Sequence, residues 1–206
     1  MNCTRGFVWL GLFGLSVLSL GSGCGQAPTI PSSYKQYNAK NGAFQCDYPE
    51  GWEAQGAGKR EAFHSAKFSS GSATIKITAD LAGSLMGDIA ESFGGLGDAG
   101  GLAEEGEDLS PVAEIHQLGK ERVAEELSNY EEKEPEVVQT RLGEGRRSEF
   151  SASGAFAGRL RGYRVTFLAH NHRVTVVCMC PEGYWDRLQP VFDKVIDSLR
   201  PGTKEL

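Results

Sequence analysis

The feature that most constrains the fold is a pair of alternating runs near the C-terminal end, at residues 160–169 and 173–180. From Tyr163 onward in the first run, and throughout the second, every second residue is apolar or a cysteine: Tyr163, Val165, Phe167 and Ala169, then Val174, Val176, Cys178 and Cys180. Leu168, Val177 and Met179 add apolar residues to the opposite faces. Side chains along a strand point alternately to the two faces of a sheet, so these runs predict strands in a sheet that is covered on both faces.

The other strand and helix patterns surround these two runs. Further strands are predicted around residues 44–48, 62–68, 73–81, 137–142 and 146–151. Helical periodicity indicates helices at 85–93, from Ser110 towards Tyr130, and from Trp185 to Leu199. Single strands do not alternate with helices, which argues against a doubly wound parallel sheet. The predicted fold class is therefore α+β, an antiparallel β-sheet sandwiched between helices, with a mobile loop where six glycines fall within residues 94–106.

The N-terminus has the layout of a secretory signal. Arg5 precedes 15 uncharged, mostly apolar residues at 6–20. A helix of that length reaches only ~22 Å, short of the ~30 Å hydrocarbon core of a bilayer, so a permanent spanning helix is the poorer interpretation. Small residues then lead to Cys24 in a pattern that resembles a bacterial lipobox, although Gly21 stands where that motif prefers leucine.

These features divide the chain into three parts. We predict a signal peptide at 1–23, a flexible tether at 24–41 that begins with a lipidated Cys24, and a single domain at 42–201. Plain secretion and an uncleaved anchor are the alternatives.

Charge is distributed unevenly along the chain. The whole sequence has 27 acidic and 21 basic residues, for a net charge of −6, which argues against nucleic-acid binding. Residues 101–140 hold 12 acidic and 3 basic residues. Six arginines fall instead on neighbouring predicted strands and their turns: Arg146, Arg147, Arg159, Arg161, Arg164 and Arg173.

These arginines are candidates for a binding surface. Guanidinium groups bind carboxylates and phosphates in a bidentate manner, so the six could bind an acidic protein or a small anionic ligand. The alternative is that they pair internally with the acidic segment 114–136.

Three cysteines remain in the predicted domain once Cys3 and Cys24 are set aside: Cys46, Cys178 and Cys180. An exported protein enters an oxidising compartment, so Cys46 could form a disulfide with one of the other two. Cys178 and Cys180 lie ~6.6 to 6.8 Å apart on an extended strand, near the upper limit for a bond between them. The alternatives are buried thiols and a redox or metal site, and no CxxC motif supports the last.

Motifs that would identify a catalytic or metal site are weak or missing from the sequence. Gly95, Gly97 and Gly100 match G-x-G-x-x-G, but a predicted helix precedes them and acidic residues follow, which disfavours dinucleotide binding. His170 and His172 flank a predicted turn, yet zinc needs three or four ligands. The sequence contains no G-x-S-x-G elbow, Walker loop or H-E-x-x-H motif. We therefore predict no catalytic residue, no metal and no cofactor.

Two stretches at the ends of the predicted domain carry a family resemblance. The first contains Phe44, Tyr48, Pro49, Gly51 and Trp52. The second contains Trp185, Phe192, Val195, Ile196, Ser198 and Leu199. Together they resemble the PsbP-like fold, which is named after an extrinsic subunit of photosystem II. That family also includes a Ran-binding nuclear-transport factor and bacterial envelope lipoproteins. The resemblance spans residues 42–200 and implies an antiparallel sheet between helices, a role in binding or assembly, and no shared catalytic residue.

The sequence thus favours a membrane-tethered, non-catalytic binding or assembly module of the bacterial envelope. The expected location is the outer membrane or the periplasmic face, with the lipid on Cys24 as the attachment. The expected contact surface is the arginine-bearing sheet with the glycine-rich loop at 94–106. The alternative is an envelope thiol-redox or metal-linked enzyme that uses Cys46, Cys178 and Cys180.

Overall fold

The computed structural model of the protein describes residues 26–60, 63–81, 108, 110–154, 158–169 and 171–203. The predicted signal peptide, the helix predicted at 85–93 and the glycine-rich segment 94–106 lie outside these residues. No helix in the described ranges is both long and apolar enough to cross a membrane.

Strands dominate the described part of the chain. They are β1 (Tyr34–Asn38), β2 (Gln45–Pro49), β3 (Glu53–Arg60), β4 (Phe63–Ser70), β5 (Ala73–Leu81), β6 (Ser128–Glu132), β7 (Glu136–Thr140), β8 (Gly143–Gly154), β9 (Gly158–Ala169) and β10 (His172–Pro181). The helices are α1 (Pro111–Glu126) and α2 (Trp185–Asp197), and a short 3-10 turn at Glu182–Tyr184 leads into α2.

Eight strands form one antiparallel sheet in the order β3-β4-β5-β10-β9-β8-β6, and β7 also pairs with β8. β1 and β2 form a separate antiparallel pair. The two alternating runs become β9 and β10 in the middle of the sheet, where Val176 lies opposite Ile77 on one side and Val165 on the other. The strands predicted from these runs are confirmed.

The two faces of the sheet bury different elements. α2 and the β1–β2 pair cover one face, and the alternating apolar side chains of β4, β5, β9 and β10 form the main core beneath them. α1 covers the β8–β9 part of the opposite face, where Val112 and Ile115 are buried. Helices therefore lie on both sides of an antiparallel sheet, which is the predicted arrangement.

α1 begins where the sequence predicts but ends earlier. Ser110 is the N-cap, and its Oγ accepts a hydrogen bond from the Ala113 amide at 3.3 Å. The prediction that the helix continues to Tyr130 is wrong, because Leu127 is extended and residues 128–132 form β6 against β8. This pairing satisfies main-chain groups at the edge of β8, a long-range effect that helical periodicity cannot register.

The structure also differs from the flexible tether predicted at 24–41. Residues 34–38 form β1, with Tyr34 opposite Pro49 in β2. Farther upstream, Pro28 is buried and the Thr29 amide donates to Ser70 Oγ at 2.9 Å. The polar side chains of this segment contain no strand signal, and main-chain hydrogen bonds order it instead.

The sequence pattern does not predict β3, because two glycines interrupt the alternation of its side chains. Gly56 and Gly58 lie directly over Tyr37 and His64. A Cβ at Gly56 would come within 2.5 Å of Tyr37 Oη, and one at Gly58 within 2.6 Å of His64 Nδ1. These glycines allow the strand to approach an aromatic cluster closely, a requirement that is set by tertiary packing.

Candidate functional site

A cleft of about 480 Å³ opens on the face of the sheet that carries α1. Its floor consists of outward-facing side chains of β4, β5 and β10, and its wall is the C-terminal part of α1. α1 packs on β8 and β9, so within the described residues it leaves this other half of the sheet face only partly covered. We refer to this space as the sheet cleft.

The floor of the sheet cleft combines small polar and apolar groups. Thr74, Thr78 and Thr175 contribute hydroxyl groups from neighbouring strands. Val177 and Met179 of β10 add apolar surface and are only half-buried. Because β5 and β10 are paired in register, these side chains form one continuous surface.

The rim of the sheet cleft carries positive charge. Lys76 pairs with Glu126 at 3.7 Å across the cleft, and the Asp80 carboxylate is bound by Arg173. Lys67 and Arg122 also line the cleft, and neither forms an ion pair with another described residue. Among the described residues, no carboxylate therefore competes with an anionic group for these two cations.

A buried polar cluster fixes α1 beside the cleft. His116 is fully buried, with Nδ1 3.0 Å from Thr166 Oγ1 and Nε2 3.0 Å from Ser148 Oγ. The Arg164 guanidinium donates to both carboxylate oxygens of Glu132, at 2.8 and 3.1 Å, and to the His116 carbonyl at 2.5 Å. These contacts tie the helix to β6, β8 and β9.

The electrostatics of this cluster keep His116 neutral. Burial, together with the nearby charges of Arg164 and Arg146, lowers its pKa from 6.5 to about 3. Glu132 Oε1 lies 3.9 Å from Nε2, but this carboxylate is already bound to Arg164. Burial and the adjacent Glu132 also raise the pKa of Tyr130. His116 is neutral and both of its nitrogens are hydrogen-bonded inside the fold. It is therefore a packing residue, in agreement with its place near the apolar stripe of the helix.

The six candidate arginines do not form one binding surface. Three of them lie on the face of the sheet that carries α1. Arg146 binds Asp108 and Glu144, Arg164 binds Glu132, and Arg173 binds Asp80. Two lie on the other face, where Arg147 binds Glu136 and Asp193, and Arg161 binds Glu149. Arg159 is exposed and lies 3.7 Å from Glu182. Residues on one strand alternate between faces, so neighbours in sequence are separated. The arginines are paired internally, but only Arg147 and Arg164 pair with the acidic segment 114–136, through Glu136 and Glu132. The acidic partners of the other four lie outside that segment.

Two of these arginines also stack on aromatic rings. The Arg147 guanidinium lies 4.7 Å from the centroid of the Tyr163 ring, and Arg161 lies 4.7 Å from that of Trp185. Such cation–π contacts further occupy the guanidinium groups within the fold.

The three cysteines are free and buried in the structure. Burial raises the pKa of Cys46 to about 12 and that of Cys180 to about 11, and it raises the pKa of Cys178 as well. Reactive thiols need a lowered pKa and access to solvent, so this environment does not favour the thiol-redox alternative. A disulfide between Cys46 and a cysteine of β10 stays a prediction.

The histidines are dispersed. His64 Nε2 lies 2.7 Å from Tyr37 Oη inside an aromatic cluster. His172 begins β10, and its predicted companion His170 lies outside the described residues. Among the described residues, no three histidine, cysteine or acidic side chains are grouped closely enough to hold a metal ion.

Reasoning from the sequence did not identify the sheet cleft. The alternation of Lys76 and Thr78 against Ile75 and Ile77 is visible in the sequence, but it indicates only a polar face of a strand. Only the position of α1 shows that the described elements leave this face partly uncovered.

Comparison with known proteins identifies the fold. No protein-family model and no curated protein matches the sequence. The solution structure of cyanobacterial PsbP (CyanoP) from Synechocystis sp. PCC 6803 matches 88% of this chain and 98% of its own, with 13% identity and a TM-score of 0.56.

Two other solved structures are less similar. A Pseudomonas aeruginosa protein of unknown function has 12% identity and a TM-score of 0.45 over 84% of this chain and 99% of its own. LpqN of Mycobacterium tuberculosis, described as involved in cell envelope biogenesis, has 8% identity and a TM-score of 0.45 over 82% of this chain and 92% of its own. The likeness to CyanoP confirms the predicted fold class: this chain has a PsbP-like α+β fold, with an antiparallel sheet between helices.

Proposed function

We propose that this protein is a non-catalytic binding module of the bacterial envelope, attached to a membrane by a lipid on Cys24, which binds an amphipathic small anion in the sheet cleft. The observation that carries the proposal is the cleft itself, in which an apolar floor lies beside two cations without ion-pair partners among the described residues.

The dimensions and chemistry of the cleft support a small ligand. Its volume of about 480 Å³ falls within the ~300 to 1,000 Å³ typical of ligand pockets. Val177 and Met179, with Leu127 from the end of α1, can contact an apolar chain or ring. Lys67 and Arg122 can bind a carboxylate, sulfate or phosphate at the rim.

The positions of two histidines and of the three thiols support binding without turnover. His116 and His64 are hydrogen-bonded within the fold, and the three thiols are buried. None of these five residues lines the sheet cleft.

The ligand class is tested by comparing laurate with dodecylamine, which pair the same alkyl chain with opposite charges. We expect calorimetry on residues 25–206, which retain the described contacts, to detect laurate binding and little dodecylamine binding. The Lys67→Gln/Arg122→Gln variant should weaken laurate binding by about tenfold, equal to about 1.4 kcal/mol.

The matched control is Lys120→Gln/Arg187→Gln, which removes one lysine and one arginine that are exposed and outside the cleft. This variant should bind laurate like the unmodified chain. Equal binding of the two amphiphiles, or equal losses in the two double variants, would contradict the proposed site.

The membrane attachment is tested by intact mass spectrometry of the full chain extracted from membranes. We expect the mass of a chain that begins at Cys24 plus acyl groups. A chain without acyl groups would refute the lipid anchor and leave the cleft to be judged by calorimetry.

A further inference from the structure

The N-terminal segment from Gln26 to Ser33 lies on the surface of the domain. The Thr29 amide donates to Ser70 Oγ at 2.9 Å, and Trp52 Nε1 donates to the Thr29 carbonyl at 3.0 Å. Pro28, which directly precedes Thr29, is buried. The segment is thus attached both to the β4–β5 turn and to the residue that precedes β3.

Gly71 brings the start of this segment close to the β4–β5 turn. Its φ is +55°, and an added Cβ would lie 1.9 Å from the carbonyl oxygen of Gln26. A residue with a side chain would displace the segment, so the turn and the segment fit together only with glycine at this position.

A second set of contacts holds the segment where it enters β1. The Glu50 amide donates to the Ser33 carbonyl at 2.9 Å, and the Ser33 hydroxyl donates to the Glu50 carboxylate. Lys35 Nζ lies 2.9 Å from the same carboxylate. Lys194 of α2 lies 4.0 Å from the centroid of the Tyr34 ring. From Gln26 onward the chain is therefore fixed to the domain at several independent points.

Covalent geometry then limits the distance to the lipid. Only Gly25 separates Cys24 from Gln26, and two peptide units span at most ~7.6 Å. Within the flexible tether expected at 24–41, residues 26–37 alone would reach about 30 to 40 Å if they were free and extended.

We infer that the domain is held directly against the membrane in one orientation, with the β2–β3 and β4–β5 turns facing the lipid surface. The inference rests on the lipid anchor of the proposed function. The β7–β8 and β9–β10 turns lie at the opposite ends of these strands and face away from the membrane. β5 has nine residues, so the two ends are separated by about 30 Å.

The orientation is tested on the acylated full chain in phosphatidylcholine vesicles that contain a nitroxide on the lipid headgroup. An environment-sensitive fluorophore is placed by Glu53→Cys near the membrane end or by Asn171→Cys at the far end; both positions are exposed. We expect several-fold stronger quenching of the label at position 53 than of the label at 171.

The matched control inserts 16 glycine and serine residues between Gly25 and Gln26. Such a linker has a root-mean-square length of about 20 to 24 Å, so the chain stays attached while its orientation is released. Quenching at position 53 should fall to the level at 171. Thr29→Pro/Trp52→Phe, which removes the donors of the two hydrogen bonds at Thr29, should shift quenching in the same direction.

The outcomes separate the two proposals. An acylated, vesicle-bound chain that is quenched equally at both positions, or one that the linker does not affect, would overturn the orientation and leave the anchor intact. A chain without acyl groups would overturn the anchor and, with it, the orientation.

Discussion

Arg164 is 1% exposed, and the Glu132 carboxylate that it binds is 3% exposed. A buried ion pair of this kind adds little net stability over apolar packing, but the loss of one partner leaves an uncompensated buried charge. Gly119 of α1 lies over the guanidinium, and an added Cβ there would approach Nη1 to 3.0 Å. The close approach of α1 to the Arg164–Glu132 pair therefore favours a residue without a side chain at position 119.

His116 in the same cluster makes the stability of the protein depend on pH. The pKa of His116 is about 3 in the folded protein and 6.5 in the unfolded chain, so the unfolded chain binds the proton first as pH falls. Its contribution to stability is complete above pH 6.5 and is lost progressively towards pH 3. We expect chemical denaturation at pH 6.5, 5.5 and 4.5 to show this loss, at up to about 1.4 kcal/mol per pH unit.

The contribution of His116 is isolated by a substitution. His116→Gln should be less stable at pH 7 and should have a smaller decrease in unfolding free energy between pH 6.5 and 4.5. His172→Gln, at the start of β10 and outside this cluster, serves as the control. An identical pH dependence in the native chain and in His116→Gln would contradict the prediction.

Among the elements, the central strand β9 depends on a glycine. A Cβ at Gly162 would lie 2.1 Å from the Cys178 carbonyl oxygen and 2.5 Å from Phe150 Cζ. We expect Gly162→Ala to lower the free energy of unfolding by about 1 to 3 kcal/mol, because neither the neighbouring strand nor the packed ring can move freely. Urea denaturation measures the change.

Gly183 provides the matched control for this substitution. It lies in the turn before α2 with no atom within 4 Å of an added Cβ. Gly183→Ala should therefore change stability by less than about 0.5 kcal/mol. Equal effects of the two alanines would mean that the close approach of β10 and Phe150 to Gly162 does not constrain the sheet.

For the whole molecule, the buried cysteines link thiol chemistry to global unfolding. Cys46 and Cys178 are fully buried in the main core, which joins β2 to β10 beneath α2. We expect Cys46, Cys178 and Cys180 to resist alkylation in the native protein and to react together in denaturant, because access requires the core to open. Mass spectrometry after labelling, with and without reductant, counts them.

The same measurement decides the predicted disulfide. Three labelled thiols in denaturant without reductant would exclude it. One labelled thiol without reductant and three with it would establish a bond that stabilises the domain by about 2 to 4 kcal/mol. Rapid labelling of the native protein would contradict the buried environment of the thiols.

Much of the fold could be predicted because its central strands have strong local patterns. β9, β10 and β5 carry alternating apolar residues, and Ser110 with Pro111 marks the start of α1. β1, β3 and β6 could not be predicted in this way. They are short or rich in polar residues and glycine, and main-chain pairing with a neighbouring strand holds them in place.

The candidate site was much less accessible to sequence reasoning. The six arginines stand out in the sequence, but strand alternation sends them to opposite faces and acidic partners bind them. Lys67 and Arg122 are far apart in the sequence, where neither stands out, and both line the sheet cleft. The distribution of charge along a chain does not specify which charges neutralise one another in three dimensions.

Local sequence patterns were sufficient to predict the fold class and the order of the main elements, because hydrophobic periodicity directly reflects which face of a strand or helix is buried. Three-dimensional contacts were needed to show that the N-terminal segment is docked, that the arginines are paired internally and that the described elements leave the sheet cleft partly uncovered. These features depend on contacts between residues far apart in the chain, such as Thr29 with Ser70 and Arg164 with Glu132. The free energies of these contacts depend on interatomic distances and on burial, and both are defined only after the chain has folded.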